Sequence, residues 1–453
     1  MQGDGVYMVK KIIIILIFTV ILIFSGCAAE DYEEPAEEKT GSFGFTPVVR
    51  LFEQTPVLRR PTPEEAEKYP KLTNLPTLYI ELEHTLLRRL EREYRPGMYT
   101  FVYSEDSGLY GEHLTIKRRG AWSYSHPKAP YTVELLRDTG WGGLPPASKW
   151  VLIANWTDKS LLRNYITLKL AGWLTDDFTP DCFFADLVVN GDYRGTYLIT
   201  ESIEIHENRL DLNRETEAVF EIEAVYRHGE HSECINISGG DNHILYKRPA
   251  GSITSEHRAR NLEKFRTFFE EMQFSLLRGY EAYSEYIDVD SFINWYIVNE
   301  LTKNFDSAFT ASCHCFLKDG KLHMGPSWDF DTPYGSQDIG PPVNKLNPEG
   351  FHVSSSPWFR LLTRDETFSR LLSERWTELR DMGVFDDFIK MIDETAVYIA
   401  ESAALNFEVW QDALEFTMRP RRVSRYTHEG EIEYVRDWAA ARINWFDSEW
   451  YKK

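Results

Sequence analysis

NELTKNFDSAFTASCHCFLKDGKLHMGPSWDFDTPYG, residues 299–335, is the part of this 453-residue chain that says most about its fold. Apolar residues lead into it at the three-and-four spacing of one buried helix face, after Asp288 as a candidate N-cap. These are Val289, Phe292, Ile293, Tyr296, Ile297 and Leu301. The pattern then predicts a hairpin, with strands at 315–317 and 322–324 around a turn at Asp319-Gly320. We therefore expect a helix, a hairpin and then the acids of residues 328–331.

Two acids, Asp329 and Asp331, alternate with the aromatic residues Trp328 and Phe330. On an extended segment, the two-residue period puts both carboxylates on one side and both rings on the other. The bulky rings indicate a partly buried setting, where an acid is rarely kept without a partner. The alternative is that the two acids only cap a turn before the Pro and Gly that follow.

Asn304 and Asp306 lie at the end of the predicted helix, before the hairpin that leads to these acids. Two neighbouring carboxylates repel each other, and a divalent cation that prefers oxygen ligands relieves the repulsion. Asp306 or Asn304 would complete the ligand shell and leave positions for phosphate oxygens. Asp329, Asp331 and Asn304 are therefore candidate metal ligands.

The combination of N-x-D, a hairpin and Trp-Asp-aromatic-Asp resembles the spore-coat protein H (CotH) kinase family. Three further family-like pieces lie upstream in the family's order: IKRRGAWSYSHPKAPYTVEL at 116–135, LIANWTDKSLLRNYITLKLA at 152–171 and VVNGDYRGTYLITESI at 188–203. The patterns at 358–380 and 438–445 also resemble the family's helical C-terminal part. The resemblance covers roughly residues 75–446.

This resemblance implies an α+β, atypical protein-kinase-like bilobal fold that transfers phosphate from ATP to Ser or Thr with Mg²⁺ or Mn²⁺. Asp306 matches the family's catalytic-loop acid and Asp329 its metal-binding acid, with Asp331 and Asn304 as further ligands. Lys128 lies in the family's P-K-K-x-Y segment, where a lysine faces the nucleotide. Such roles suit phosphoryl transfer, which needs mainly positioning and charge neutralisation.

The chain also departs from the family pattern. Lys128 is a single lysine where the family has a pair, and Gly120 stands alone where a kinase would have G-x-G-x-x-G. The loop after the catalytic-loop acid has no Asn, which leaves Asn304, Ser312 or Asp331 as the second metal ligand. The alternative function is therefore a catalytically degenerate surface module that binds a protein or a glycan through some of its 13 Trp and 24 Tyr.

Two other segments offer contacts for the nucleotide. In DKSLLRNY, Asp158, Arg163 and Asn164 either line the cleft or belong to an ordinary capped amphipathic helix, and Arg163 is the candidate phosphate ligand. Glu201 follows a strand-like segment and is expected either at a hinge that contacts the nucleotide or as the partner of Lys128.

A cysteine and histidine cluster raises the question of a zinc site. On a strand, Cys313 and Cys315 would share one face opposite His314, which is poor geometry for one tetrahedral ion. A packed hairpin strand is the prediction here. Asn190-Gly191, between two strand-like segments, predicts a tight hairpin turn.

The N-terminus predicts export and lipid attachment. Lys10 and Lys11 precede an apolar run at 12–24 and then Ser25-Gly26-Cys27, the pattern of a bacterial lipoprotein signal. The run is shorter than the roughly 20 residues that span a bilayer. We expect residues 1–27 to be the signal with its lipid-modified Cys27, which would anchor the protein on the extracytoplasmic face of the cell membrane. Residues 28–74 would be an acidic tether and linker.

Composition limits the partners and the architecture. The chain has 71 acidic and 50 basic residues and a net charge of −21, which argues against a nucleic-acid partner and suits a basic or Ser-rich protein substrate. With 43% hydrophobic residues it has material for a large core. We predict one kinase-like domain at 75–450, strand-rich to about residue 222 and helical from about residue 255 apart from the hairpin.

Overall fold

Strands dominate the N-terminal part of the protein, as predicted. The computed structural model describes residues 57–82, 93–227, 234–248, 255–336, 346–415 and 427–451. Its strands are β1 (Thr77–Leu82), β2 (Arg95–Ser104), β3 (Ser107–Arg118), β4 (Tyr131–Thr139), β5 (Ala147–Ile153), β6 (Cys182–Val189), β7 (Asp192–Glu201), β8 (Ala218–Ala224), β9 (Cys234–Asn236), β10 (Asn242–Arg248), β11 (Cys313–Lys318) and β12 (Lys321–Met324).

Helices dominate after β10. The helices are α1 (Pro63–Lys68), α2 (Arg163–Leu174), α3 (Ser255–Ser275), α4 (Tyr280–Tyr283), α5 (Val289–Thr302), α6 (Pro357–Leu362), α7 (Glu366–Asp381), α8 (Val384–Val409), α9 (Gln411–Glu415) and α10 (His428–Trp450). The predicted α+β class, with a strand-rich N-terminal part and a helical C-terminal part, is confirmed.

The first seven strands form a closed barrel in the order β1-β2-β3-β4-β5-β7-β6. Neighbouring strands are antiparallel except β1 and β6, whose parallel pairing, with Thr77 opposite Asp186, closes the barrel. Tyr99, Phe101 and Trp150 lie in its buried core. Closure was not predicted, because it depends on two strands far apart in the sequence and leaves no local signature.

A five-stranded sheet in the order β12-β11-β8-β10-β9 packs with the helices. On β11, Cys313 and Cys315 are buried in the helical core while His314 is on the other face, so the predicted packed hairpin strand is confirmed. The turn between β6 and β7 is also as predicted, with Asn190 and Gly191 both at positive φ, 49° and 83°.

The helix before the acidic segment has the predicted start. The side chain of Asp288 accepts a hydrogen bond from the backbone N–H of Ser291 at 2.8 Å, and α5 begins at the next residue after Asp288. The segment at 358–380, which resembles the family's helical part, lies in two helices, α6 and α7. Asp365 separates them, because its side chain accepts from the N–H of Phe368 and starts α7.

Several predictions on the N-terminus fall on residues that the structure does not describe. The signal at 1–27, the Cys27 lipidation site and residues 28–56 of the tether lie outside the described residues. Among the described helices, none is long and apolar enough to span a bilayer.

Candidate active site

The end of α5 delivers Asn304 and Asp306, as predicted. Asn304 is buried, and its Nδ2 donates to the backbone carbonyl of Asp329 at 3.2 Å. Its Oδ1 accepts from the hydroxyl of Thr332 at 2.9 Å. Asn304 therefore braces the acidic loop from within. The role of Asn304 as a metal ligand stays a prediction, because its Oδ1 has a second lone pair beside the one that accepts from Thr332.

The acidic loop, residues 328–331, is not the extended segment that the sequence predicts. Asp329 has φ +63°, in the left-handed region, and the two-residue alternation of faces therefore fails. The hydroxyl of Ser312 donates to Asp329 Oδ2 at 3.0 Å. Lys303, Phe309 and Ser312 also have positive φ. Non-glycine residues in this region are strained, and such strain concentrates at functional sites.

Asn164 clamps the acidic loop from the side of α2. Its Nδ2 donates to Asp331 Oδ1 at 2.6 Å, and its Oδ1 accepts from the backbone N–H of Phe330 at 2.9 Å. Asn155 Oδ1 is a second acceptor for the Asn164 amide, at 3.1 Å. Asn164, for which the sequence left both a place in the cleft and a place in an ordinary helix open, thus contacts the candidate site directly through Asp331.

The carboxylates of the site act on one another. Burial, followed by the charge of Asp329 and the smaller effects of Asp158 and Asp306, raises the pKa of Asp331 to about 7. The hydrogen bond from Asn164 works in the opposite direction. The carboxylates of Asp306, Asp329 and Asp331 therefore lie close enough to interact electrostatically, and negative charge is in excess there.

This donor set fits a hard divalent cation. Mg²⁺ is commonly held by one or two carboxylates, with water and phosphate oxygens in its other positions. Asp329 and Asp331 supply two such carboxylates in a half-buried site with an excess of negative charge. Within the described ranges, no three His, Cys, Asp or Glu side chains are grouped as a metal site by themselves. A cation held by these two carboxylates would have coordination positions left for phosphate oxygens.

Arg119, which the sequence analysis did not select, adds a positive charge to this site. Its guanidinium lies 5.3 Å from the centre of the Trp328 ring. Burial lowers the pKa of Arg119, and the charges of Asp329 and Asp331 oppose that shift. The turn after it needs glycine, because a Cβ on Gly120, at φ +91°, would lie 2.0 Å from a side-chain oxygen. The lone Gly120 was the sequence signal for this turn.

Lys128, the predicted nucleotide-binding cation, contacts the barrel and α8 and not the acidic loop in the described contacts. It is buried, and its Nζ donates to the carbonyl of Thr196 at 2.5 Å and to Asn406 Oδ1 at 2.7 Å. Burial lowers its pKa to about 7, opposed by the charge of Asp186. These contacts join the barrel to α8, so the structure does not support a phosphate contact for Lys128. The sequence motif identified the segment but could not tell which of its cations turns toward the acids.

Arg163 corrects a second prediction. Its guanidinium is fully buried and forms ion pairs with Asp158 and with Glu431, the latter at 2.8 Å. Its Nε donates to the carbonyl of Pro333 at 3.1 Å. Burial disfavours its charge, but the two acids outweigh this and raise its pKa. Arg163 is therefore a structural link between α2, α10 and the segment after the acidic loop, because its charge is already neutralised by protein groups.

Glu201 is paired with a different partner from the predicted Lys128. Its carboxylate lies 2.7 Å from the guanidinium of Arg209 and accepts from the backbone N–H of Asp181 at 3.0 Å. Burial raises the pKa of Glu201 above its ordinary value. Its described contacts fix the end of β7, and contact with a nucleotide stays a prediction.

Glu300, one turn before the end of α5, is buried and accepts from the backbone N–H groups of His352 and Val353. It also forms an ion pair with Arg442 of α10 at 3.0 Å. The sequence gave no sign of this pair, because Arg442 is far from Glu300 in the chain. The pair fixes α5 against the last helix.

Comparison with known families agrees with this geometry. A family model described as CotH kinase protein matches residues 116–446, well over half of the chain. The chain therefore belongs to the CotH kinase family, as its motifs predicted, and a kinase-like function is what this membership supports. No curated protein matches the chain at a significant level.

Replacing Asp331 by Asn should stabilise the metal-free protein above neutral pH. The pKa of Asp331 in the folded state, about 7, exceeds the ordinary value of an aspartate carboxyl, 3.8. The ionised carboxylate of Asp331 therefore destabilises the folded protein. The free energy of unfolding falls as the pH rises from about 4 to 7, and this loss is complete at pH 8. We expect Asp331→Asn to gain about 1 to 2 kcal/mol in urea unfolding at pH 8 with chelator, and much less at pH 4. An equal or lower stability at pH 8 would contradict the excess of negative charge.

Proposed function

We propose that this protein is an atypical Ser/Thr kinase with a kinase-like bilobal fold that uses ATP with Mg²⁺ or Mn²⁺. The observation that carries the proposal is the acidic loop, in which Asn304, Ser312 and Asn164 hold Asp329 and Asp331 by hydrogen bonds after the end of α5. Half-buried acids with an excess of charge are stabilised by a cation, and a nucleoside triphosphate brings one.

Each residue would have a separate task. Asp329 and Asp331 would hold Mg²⁺, which neutralises phosphate charge when bound. Asp306 would accept a hydrogen bond from the attacking Ser or Thr hydroxyl and orient it. Ser312, Asn304 and the Asn164 amide would keep the carboxylates in place, because their hydrogen bonds hold the loop that carries the acids.

The proposed substrate is an exported or surface protein with basic or Ser-rich segments. The net charge of −21 favours a basic partner through long-range attraction. The proposed lipid on Cys27 would keep the kinase at the extracytoplasmic face of the membrane, where it would meet such proteins. Glycan or protein binding without catalysis is the competing function.

Ligand-induced stabilisation of the full-length protein tests the proposal. A ligand that binds only the folded state at 100 times its Kd stabilises by about 2.7 kcal/mol, a rise of several degrees in Tm. We expect this rise with ATP and Mg²⁺ or Mn²⁺, but not with ATP and chelator. Asp329→Ala is the control that should lose it. No shift at saturating ATP would contradict the kinase proposal and favour the binding module, which can then be tested on glycans.

A further inference from the structure

A kinase needs positive charge as well as metal at the phosphates, and the sequence motif assigned that task to Lys128. In the structure, the Nζ of Lys128 contacts Thr196 and Asn406, between the barrel and α8. The carboxylate that acts on it is Asp186, which itself accepts from the hydroxyl of Ser402 on α8 at 2.6 Å. Lys128 thus fastens the barrel to a helix.

Arg119 has the position that a phosphate-binding cation at this site requires. It follows the last residue of β3, and its backbone N–H donates to the carbonyl of Pro130 at 3.1 Å, which fixes the base of the loop between β3 and β4. Its guanidinium stacks on Trp328, the residue directly before Asp329. Asp329 and Asp331 are the two charges that act most strongly on it.

The neighbouring Arg118 shows that this orientation is specific to Arg119. The guanidinium of Arg118 lies 5.1 Å from the centre of the Tyr124 ring, and its Nη2 donates to the carbonyl of His126 at 2.7 Å. Both partners belong to the loop between β3 and β4 itself. Of the two adjacent arginines, one therefore holds the loop and the other extends to the acidic loop.

We propose that Arg119, and not Lys128, is the residue that binds the phosphates of the nucleotide. This rests on the proposed function. A guanidinium presents several donors in a plane and binds phosphate oxygens in pairs, and the face of Trp328 would hold that plane in orientation. Without nucleotide, the guanidinium partly balances Asp329 and Asp331. With Mg²⁺ held by the two acids, Arg119 would be available to donate to a phosphate bound beside it.

Calorimetric binding of Mg²⁺-ATP and of AMP to the full-length protein tests this. Charge-assisted hydrogen bonds lost in Arg119→Gln should weaken Mg²⁺-ATP binding by about 30-fold. The affinity for AMP, which lacks the β- and γ-phosphates, should fall much less, so the variant should lose most of its preference for ATP over AMP. The matched control is Arg118→Gln, which should keep that preference. Arg119→Lys should recover only part of the affinity, because an ammonium cannot make the planar double contact.

The outcomes separate the two proposals. If wild type binds Mg²⁺-ATP and Arg119→Gln keeps the same Kd for it, the assignment of Arg119 is wrong and the kinase proposal stands. If wild type does not bind Mg²⁺-ATP at all, the kinase proposal fails, and Arg119 with it. If Arg119→Gln does not fold, the assignment can be tested on the wild type. Phenylglyoxal modifies its arginines, and mass spectrometry maps the modified positions. Mg²⁺-ATP should then protect Arg119 and not Arg118, and equal rates for Arg119 with and without Mg²⁺-ATP would overturn the assignment.

Discussion

Asp306→Asn should lose phosphate transfer by about 1000-fold while Mg²⁺-ATP still binds with nearly the wild-type Kd. The amide keeps the size of the carboxylate but cannot take up a proton from the substrate hydroxyl. The backbone around it should stay in place, because the carbonyl of Asp306, not its side chain, accepts from the N–H of Thr310 at 2.9 Å. Transfer to a Ser- or Thr-containing acceptor and calorimetric ATP binding measure the two effects separately.

Asp329→Asn is the matched comparison for this variant. It makes the same chemical change at the other acid, and Ser312 can still donate to the remaining amide oxygen. We expect it to lose Mg²⁺-dependent nucleotide binding as well as transfer, because it removes a metal ligand. If Asp306→Asn retained transfer, or lost nucleotide binding as completely as Asp329→Asn, the division of tasks between the two acids would be wrong.

The second large effect concerns the fold itself. Arg163→Met should destabilise the protein by about 4 kcal/mol or more, because it leaves Asp158 and Glu431 as buried charges without their guanidinium. This approaches the whole stability of many proteins. Urea unfolding measures it. We also expect weaker nucleotide binding near neutral pH. The carbonyl of Pro333 would lose its hydrogen bond from Arg163 Nε, and Pro333 lies only two residues after Asp331.

A surface arginine supplies the control. Arg370 pairs with Glu374 at 2.8 Å on α7, but the side chains of both residues are more than half exposed. Arg370→Met should therefore change stability by less than about 1 kcal/mol. If Arg163→Met loses no more stability than Arg370→Met, the buried ion pairs contribute little to the stability. The prediction that Arg163 binds phosphate would then be open again.

Local pattern was sufficient to predict the elements that carry the site. The α5 face, its Asp288 cap, the β11–β12 hairpin and the arrival of Asp329 after it follow from periodicity and turn residues. The conformation of the acidic loop was not predictable in this way. Its left-handed Asp329 is held by Ser312 and by the brace at Asn304, contacts that depend on the folded surroundings.

The cations were assigned less successfully than the acids. Lys128, Arg163 and Arg119 all lie in family-like segments, and sequence alone does not reveal which of them is neutralised elsewhere. Arg163 meets Glu431 and Lys128 meets Asn406, both partners from the last third of the chain. A long side chain is directed by such distant partners, whereas an acid at the end of a helix or hairpin is placed by the local backbone.

The last helix has a consequence for when the protein becomes active. Glu431 and Arg442, both on α10, neutralise a buried arginine on α2 and a buried glutamate on α5, the two helices that hold the acidic loop and Asp306. During synthesis, these helices exist long before α10 has been made. We expect the site to be complete only after this final segment has been added, so that the proposed kinase would be inactive while it is being synthesised.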